Sequence, residues 1–537
     1  METYISSKKQ SWLSWFLRGV LILGFLILLS RLFELQIIKG DYYRGLSEGN
    51  RIRRVSIAAP RGKIYARGGE LLADNINITK QVLFDPKSGF VKNQDFDSEE
   101  KGDLITESQR IYSLKNSGHL VGYLGEVDEN EVGKIDPQCL EKGVRRLGAL
   151  TGRGGLEEEY ECTLRGIDGE QLVEVDTAGN KIRTLGQIKP IAGQDIRTNI
   201  DFGLQRTIAE KMGDEKGAVV ATSSNGQVLA IYSGPSFNPN IFIKNSQEEI
   251  ADLFSRSDLP LFDRSIGGRF HPGSVFKPLV SLAGLEEKAI EPDFLYDDTG
   301  EIVVKTPYGT FSYSNWYLTQ RGGVEGKIDL VRAIARSTDT FFYKLGEFLG
   351  IDNIYKWSEK FGLNAEFGID LPGEIAGLVP NPEWKMEEKG ERWFLGNTYH
   401  IAIGQGDLAL TPLGVNVITT TIANGGKICP PRLVGEPQCT DLDVKKENVD
   451  LVAEGMIQAC SAGGTGFSFF DFIPQVACKT GTAEVGVDGK SHAWFTVFDP
   501  NDPEIVLTVL IEEGGSGSEI AGPIAKEIFD YYYQNKK

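Results

Sequence analysis

The chain has 537 residues, more than one ordinary domain holds, and 41% of them are apolar, enough for packed cores. Lys and Arg total 57 against 75 Asp and Glu, a formal net charge of −18. With no broad basic surface to neutralise phosphates, a nucleic-acid partner is excluded. The six cysteines include no CxxC pair, and His119, His271, His400 and His492 show no HxH or HExxH spacing, which argues against a zinc site. Cys429 and Cys439 lie close enough in sequence to pair in an exported protein, but six cysteines allow many connectivities and no particular bridge is predicted.

The N-terminal stretch "SWLSWFLRGVLILGFLILLSRLFELQII" has the length of a membrane span. Arg18 lies near one end, where its side chain snorkels to the interface, and Trp12 and Trp15 suit an interfacial belt. No small-x-small cleavage site follows the apolar core, so the segment reads as an uncleaved anchor rather than a signal peptide. Next, "RIRRVSIAAPRGKIYARGGELLADN" reads as a strand, a turn at Pro60–Gly62 and a hairpin around Arg67–Gly69. Residues 86–115 are polar and read as a loop-rich insertion. The glycine-rich region 145–200 suggests short strands joined by turns, and the acidic run Glu157–Glu159 reads as a solvated helix face.

From about residue 195 the texture changes. "DFGLQRTIAEKM" has helical spacing, and "GAVVATSSNGQVLAIYSG" is two β-rich runs around an Asn-Gly. Residues 326–350 are helical with a polar break at Ser337–Thr340. "HAWFTVF" and "EIVLTVLIEE" are strands, and the last segment is an amphipathic helix. Strands at both ends of this region with helices between them predict an α+β domain whose ends meet in one sheet.

Three short motifs carry chemistry. In "HPGSVFKP", Ser274 and Lys277 sit three residues apart at the start of a helical run, so the ammonium can reach the hydroxyl. A serine so placed becomes a nucleophile if the lysine acts as its base. Ser337-Thr-Asp339 follows about sixty residues later, and Lys479-Thr-Gly-Thr482 about 140 residues after that. Each motif has an ordinary reading as a cap, a polar turn or a strand end. Their order and shared domain favour one site.

Ser-x-x-Lys, Ser-x-Asn and Lys-Thr-Gly together mark β-lactamases and penicillin-binding proteins. The flanks "PRGKIYARGGELLADN", "GRGGLEEEYECTLRGIDG", "FGIDLPGEIAGLVPNPEWK" and "AIGQGDLALTPL" extend the likeness over nearly the whole chain. The chain resembles the class B penicillin-binding proteins, most closely the elongation-type branch. One departure is Asp339, where the family pattern usually has Asn. An ionised Asp only accepts hydrogen bonds, whereas Asn also donates.

The resemblance implies a serine β-lactamase/transpeptidase-like α+β fold, an antiparallel sheet flanked by helices, preceded by a β-rich pedestal and one transmembrane helix. The expected division is 1–11 cytoplasmic segment, 12–35 anchor, 36–192 pedestal and 193–537 transpeptidase domain. It implies a peptidoglycan D,D-transpeptidase that crosslinks stem peptides through a serine ester on D-Ala-D-Ala donors. Ser274 is then the nucleophile, Lys277 its base, Ser337 a proton relay and Lys479 a source of positive potential, with Asp339 in the same constellation. Thr480 and Thr482 bind the substrate carboxylate, and Gly481 keeps the strand clear where the substrate backbone approaches. The backbone N–H groups of Ser274 and Thr482 form the oxyanion hole. Burial and Lys479 would lower the pKa of Lys277 and Asp339 would raise it, and the sequence leaves the net sign open.

No metal or organic cofactor is implied. β-Lactams are the expected inhibitors, and a SEDS-type glycan polymerase and other elongation-complex membrane proteins the expected partners. The catalytic domain is expected outside the cytoplasmic membrane, with the N-terminus inside. Alternatives are a division-type transpeptidase, a β-lactam sensor or hydrolase, and a non-catalytic scaffold. Trp494 reads first as core. Tyr313, Ser314, Asn315 and Trp316 read equally as cleft lining or loop, and Glu374 as a turn residue.

Overall fold

The structure is a computed structural model and describes residues 12–85, 89–93, 103–176, 181–307, 309–486 and 489–536. The chain forms two compact units. One comprises Met1–Pro60, Asn77–Ser108 and Ile167–Ile191, the other Arg61–Ile76, Gln109–Gly166 and Ala192–Lys537.

In the first unit, Trp12–Ile38 is 27 residues of helix with a mean hydropathy of 2.1 and nothing buried. Among the described residues it is the one helix long and apolar enough to cross a membrane. An antiparallel sheet joins Ile52–Ile57, Gly169–Val175 and Lys181–Ile188 around Val55, Val173 and Val175.

The insertion expected as loop over 86–115 is different where it is described. Asp103–Tyr112 is a ten-residue strand. Its charged residues disguise it: Glu107 and Arg110 are buried rather than solvated. A polar composition therefore hides an element whose charges are neutralised by partners. Residues 86–88 and 94–102 lie outside the described residues.

The second unit is built on a five-stranded antiparallel sheet. Its elements are helix α1 (Phe202–Met212) and strands β1 (Gly217–Thr222) and β2 (Val228–Gly234), then helices α2 (Lys277–Glu286), α3 (Leu330–Arg336), α4 (Asp339–Leu349), α5 (Leu395–Ala402), α6 (Pro412–Ala423) and α7 (Lys446–Ala459). Strands β3 (Ala477–Val485), β4 (Lys490–Phe498) and β5 (Val506–Ile511) and helix α8 (Gly522–Asn535) complete it. The sheet order is β2-β1-β5-β4-β3. As expected, the first hairpin meets the last strand, with Gly217 opposite Ile511. Alternate residues face opposite sides of a strand. Phe495, Val497, Leu507 and Val509 thus pack under α1 and α8, while Trp494, Phe498, Val506 and Leu510 face the helical layer that holds α2 and α6. Helix α2 is buried from Lys277 to Leu285, which explains why its sequence is apolar on every side.

The run Glu157–Glu159 corrects another expectation. It is helical, over Gly155–Glu159, but Glu157 is fully buried. Its carboxylate accepts from Arg61 Nε (2.9 Å), Arg110 Nε (2.7 Å) and the Tyr112 hydroxyl (3.2 Å). Arg61 also bonds Glu161 at 2.7 Å. Burial works against the Glu157 charge, but the two guanidinium groups outweigh it and hold its carboxyl below the ordinary range. Only Glu158 and Glu159 are solvated.

All six cysteines are paired, as Cys139–Cys162, Cys429–Cys439 and Cys460–Cys478.

Candidate active site

Ser274 lies in a 3₁₀ turn, Gly273–Phe276, that runs directly into α2, and Lys277 is the helix's first residue. In a 3₁₀ turn residues three apart eclipse one another, so the two side chains share a side. The turn is clamped from three directions. Gly273 N–H donates to Gly404 O at 2.8 Å. Trp494 Nε1 donates to His271 O at 2.9 Å. On the third side, a Cβ at position 481 would meet Pro272 O at 3.0 Å and Val275 Cγ1 at 3.1 Å. Glycine at 481 therefore lets β3 press against the Ser274 turn. Trp494 is core, as expected, and also anchors this turn. Gly404 (φ +80°) is as constrained, since a Cβ there would fall 2.0 Å from Gly273 O.

Ser337 caps the C-terminus of α3 in the left-handed region, φ 56° and ψ 40°. A non-glycine residue held there stores about 1–3 kcal/mol of strain and marks a place where surrounding structure dictates the backbone. Here the result is that both Ser337 oxygens meet lysines. Lys277 Nζ donates to Ser337 O at 2.9 Å, Ser337 Oγ at 3.3 Å and Asp339 Oδ1 at 2.7 Å. Lys479 Nζ donates to Ser337 Oγ at 2.9 Å and Thr480 O at 2.9 Å. Both lysines are fully buried.

Asp339 opens α4 and acts only as an acceptor, from Lys277 and from Trp316 N–H at 3.1 Å. Its own N–H donates to Asn315 Oδ1 at 3.3 Å. Asn315 is thus a fully buried support, tied also to Asp298, rather than cleft lining. Ser314 and Trp316 do line the cleft. Tyr313 packs against Tyr343 and Tyr399, and Glu374 accepts the N–H groups of Phe367, Gly368 and Ile369 as a turn residue.

Burial lowers the pKa of Lys277 and outweighs the Asp339 carboxylate that raises it. Lys479 is pushed down further, by burial and then by the neighbouring Lys277 charge. The three protons of a charged Lys277 are matched by three acceptors. Among the described residues Ser274 Oγ makes no hydrogen bond, so proton transfer from Ser274 requires Lys277 to lose a proton and turn toward it.

These groups border a cleft of about 1100 Å³, which Ser274, Ser337, Asp339, Thr480 and Thr482 line. Thr480 is buried and bonds Thr465 Oγ1 at 2.9 Å, while Thr482 is exposed and its Oγ1 accepts Gly517 N–H at 3.3 Å. The transpeptidase-domain model of the penicillin-binding proteins matches residues 216–530, and the penicillin-binding protein dimerisation domain matches 97–198. The chain belongs to the penicillin-binding protein transpeptidase family.

Relatives place this penicillin-binding protein in the elongation-type branch. It is 30% identical to peptidoglycan D,D-transpeptidase MrdA of Acinetobacter baumannii, over 97% of this chain and 87% of the relative. Penicillin-binding protein 2 of Helicobacter pylori, solved in complex with MreC, is 25% identical with a TM-score of 0.77, covering 90% of this chain and 99% of that one. A chain from a peptidoglycan synthase complex that coordinates polymerization and crosslinking is 27% identical with a TM-score of 0.76, covering 97% and 98%.

Of the motif residues of this penicillin-binding protein, Ser274, Ser337, Asp339, Thr480 and Thr482 line one cleft, and the buried Lys277 and Lys479 join it through Ser337. Three residues at or beside the cleft escaped the sequence reading: Gly404, His400 and Glu484. Period-two alternation along β3 signals Glu484, which falls on the face of Thr480 and Thr482. Nothing local signals the other two, because tertiary contact alone gives them their place.

Proposed function

We propose that this peptidoglycan D,D-transpeptidase of the elongation type works through a covalent ester at Ser274. The observation that carries the reading is the hydrogen-bonded cluster of Lys277, Ser337, Asp339 and Lys479 beside Ser274, drawn from three separate segments at 2.7–3.3 Å. Neutral Lys277 takes the Ser274 proton as Oγ attacks the penultimate D-Ala carbonyl. The oxyanion is held by the N–H groups of Ser274 and Thr482, each such donor contributing about 2.7–4 kcal/mol in the transition state. Ser337, bonded to both lysines, passes the proton to the departing D-alanine amine. Thr480 and Thr482 hold the terminal carboxylate, and Lys479 lends positive potential there once Lys277 is neutral and no longer opposes its charge. An acceptor amine then attacks the ester carbonyl, the carbon–Oγ bond breaks, and Ser274 regains a proton.

Residues 12–35 anchor the chain, with 1–11 inside, 36–192 as the pedestal and 193–537 as the catalytic domain outside the membrane. Three disulfides, one in the pedestal and two in the catalytic domain, support an oxidising compartment for both. A SEDS-type polymerase is the proposed partner, supported by the likeness to a chain of a peptidoglycan synthase complex.

The test is intact-protein mass spectrometry of the detergent-solubilised chain with benzylpenicillin, beside Ser274→Ala. A stable adduct of one penicillin on the wild type, absent from the variant, is expected. Rapid loss of the adduct would indicate a hydrolase, and no adduct on folded wild type would refute the mechanism.

A further inference from the structure

Behind the cleft lies a carboxylate that the acyl-transfer chemistry does not use. Asp298 ends the strand Tyr296–Asp298, is 1% exposed, and among the described residues pairs with no Lys, Arg or His. Burying such a group is costly unless hydrogen bonds satisfy it. Oδ1 accepts Gly300 N–H at 3.0 Å and the Thr340 hydroxyl at 2.6 Å. Oδ2 accepts Glu325 N–H at 2.9 Å and Asn315 Nδ2 at 3.2 Å. A carboxylate offers about four acceptor sites and no donor, so these four donors saturate it.

The Asn315 amide shows what this saturation does. Asn315 stands at the N-cap of the short helix Trp316–Arg321, where an Asn side chain ordinarily accepts an N–H of that helix, yet it makes no such bond. Its Oδ1 accepts Asp339 N–H at 3.3 Å instead, one of the unpaired donors at the start of α4. Thr338, the N-cap of α4, supplies no side-chain bond of its own. The Asp298 carboxylate only accepts, so it admits one orientation of the Asn315 amide, NH₂ toward itself and oxygen toward Asp339. Turned over, the amide would set oxygen against carboxylate and NH₂ against N–H. A hydrogen-bonded series therefore runs from Asp298 through Asn315 to Asp339 and on to Lys277 Nζ, at 3.2, 3.3 and 2.7 Å.

We infer that Asp298 is a positioning residue for acylation, which sets the Asn315 amide and through it holds the Asp339 carboxylate against Lys277. The assignment rests on the transpeptidase reading above. Thr340 gives Asp298 a second hold on α4, one residue beyond Asp339. The charged groups that face Lys277 are Asp339 and Lys479, and Asp339 is the one that raises its pKa. Loosening Asp339 therefore makes Lys277 lose its proton at lower pH.

The experiment uses the full chain in detergent and follows acylation by a fluorescent penicillin across pH in Asp298→Ala, Asn315→Ala and the double variant, with Asp339→Asn as the reference. In each single variant the midpoint of the rising limb is expected to move to lower pH by about one unit, the low end for an opposite charge at this range. Because both act on one path, the double variant shifts no further than the larger single shift. Variants that melt earlier but keep the wild-type midpoint overturn the inference, since a merely structural role does that. Shifts that add in the double variant overturn the route through Asn315. If Asp298→Ala does not fold, Asn315→Ala carries the test alone, and an unmoved midpoint there overturns the inference. If wild type is labelled and Asp339→Asn moves the midpoint while the other variants do not, only this inference falls. If wild type takes up no penicillin, the acyl-enzyme mechanism falls with it.

Discussion

Replacing Asp339 with Asn tests how the protonation of Lys277 is set. The carboxylate accepts Lys277 Nζ at 2.7 Å, with the lysine fully buried and the Asp339 side chain 13% exposed. Charge centres about 4 Å apart at an effective dielectric near 20 interact by about 4 kcal/mol. At about 1.4 kcal/mol per pKa unit that is about three units, and opposite charges at this range shift a pKa by about 1–3. The sign follows from the causes: Asp339 raises the Lys277 pKa against burial, so its removal lets burial act alone and the pKa falls. Asn has one acceptor oxygen for these two donors, and where its NH₂ faces Lys277 it again favours the neutral amine. The assay is the second-order acylation rate with a fluorescent penicillin across pH, with a melt to confirm folding. The rate rises as the base loses its proton, and the midpoint of that limb is expected to move to lower pH by about 1–3 units in Asp339→Asn. A midpoint that stays in place, or moves up, refutes Lys277 as the base or Asp339 as the group that tunes it.

Glu157→Gln removes the charge that faces Arg61 and Arg110 in a buried cluster, and is expected to cost about 3–5 kcal/mol in urea unfolding. Because the Glu157 carboxyl is held below the ordinary range, its stabilisation is complete at neutral pH and is lost as pH falls through the depressed folded pKa, so the variant should lose the acid limb of wild-type unfolding assigned to this group. Cys460→Ser with Cys478→Ser opens a cross-link of sequence separation 18 whose second cysteine directly precedes Lys479. It is expected to lower stability by about 3 kcal/mol and to slow penicillin acylation, measured by unfolding and by stopped-flow labelling. Acylation at the wild-type rate would mean that the neighbouring lysine is held without the bridge.

The elements legible in the sequence are those whose signal is local. The Asn-Gly hairpin of β1 and β2, the polar break between α3 and α4 at Ser337, and the strands around Trp494 and Leu507 all stand where periodicity and turn residues put them. The misread stretches share one cause. Glu107, Arg110 and Glu157 are charged residues inside the fold, and a composition argument assigns charge to water unless a partner is in view. Their partners lie far off in sequence, 96 residues in the case of Arg61 and Glu157. The motif residues were legible for another reason: reaction chemistry restricts which side chains can serve, whatever the fold. Their supports, Asn315 and Gly404, are restricted only by what packs against them.

That difference explains how the site is assembled. Each catalytic segment is fixed by contacts of its own: Gly404, Trp494 and Gly481 hold the Ser274 turn, Asn315 holds Asp339, and Thr465 and the Cys460–Cys478 bridge hold the start of β3. Ser337 is the group both lysines share, and of the residues proposed for catalysis it is the one held in a strained backbone conformation. A serine placed on unstrained backbone would serve one lysine or the other. The left-handed turn turns its carbonyl and hydroxyl toward Lys277 while Oγ still reaches Lys479. On the proposed mechanism, the strained backbone at Ser337 links base and leaving group through hydrogen bonds to both lysines, joining three separately anchored segments.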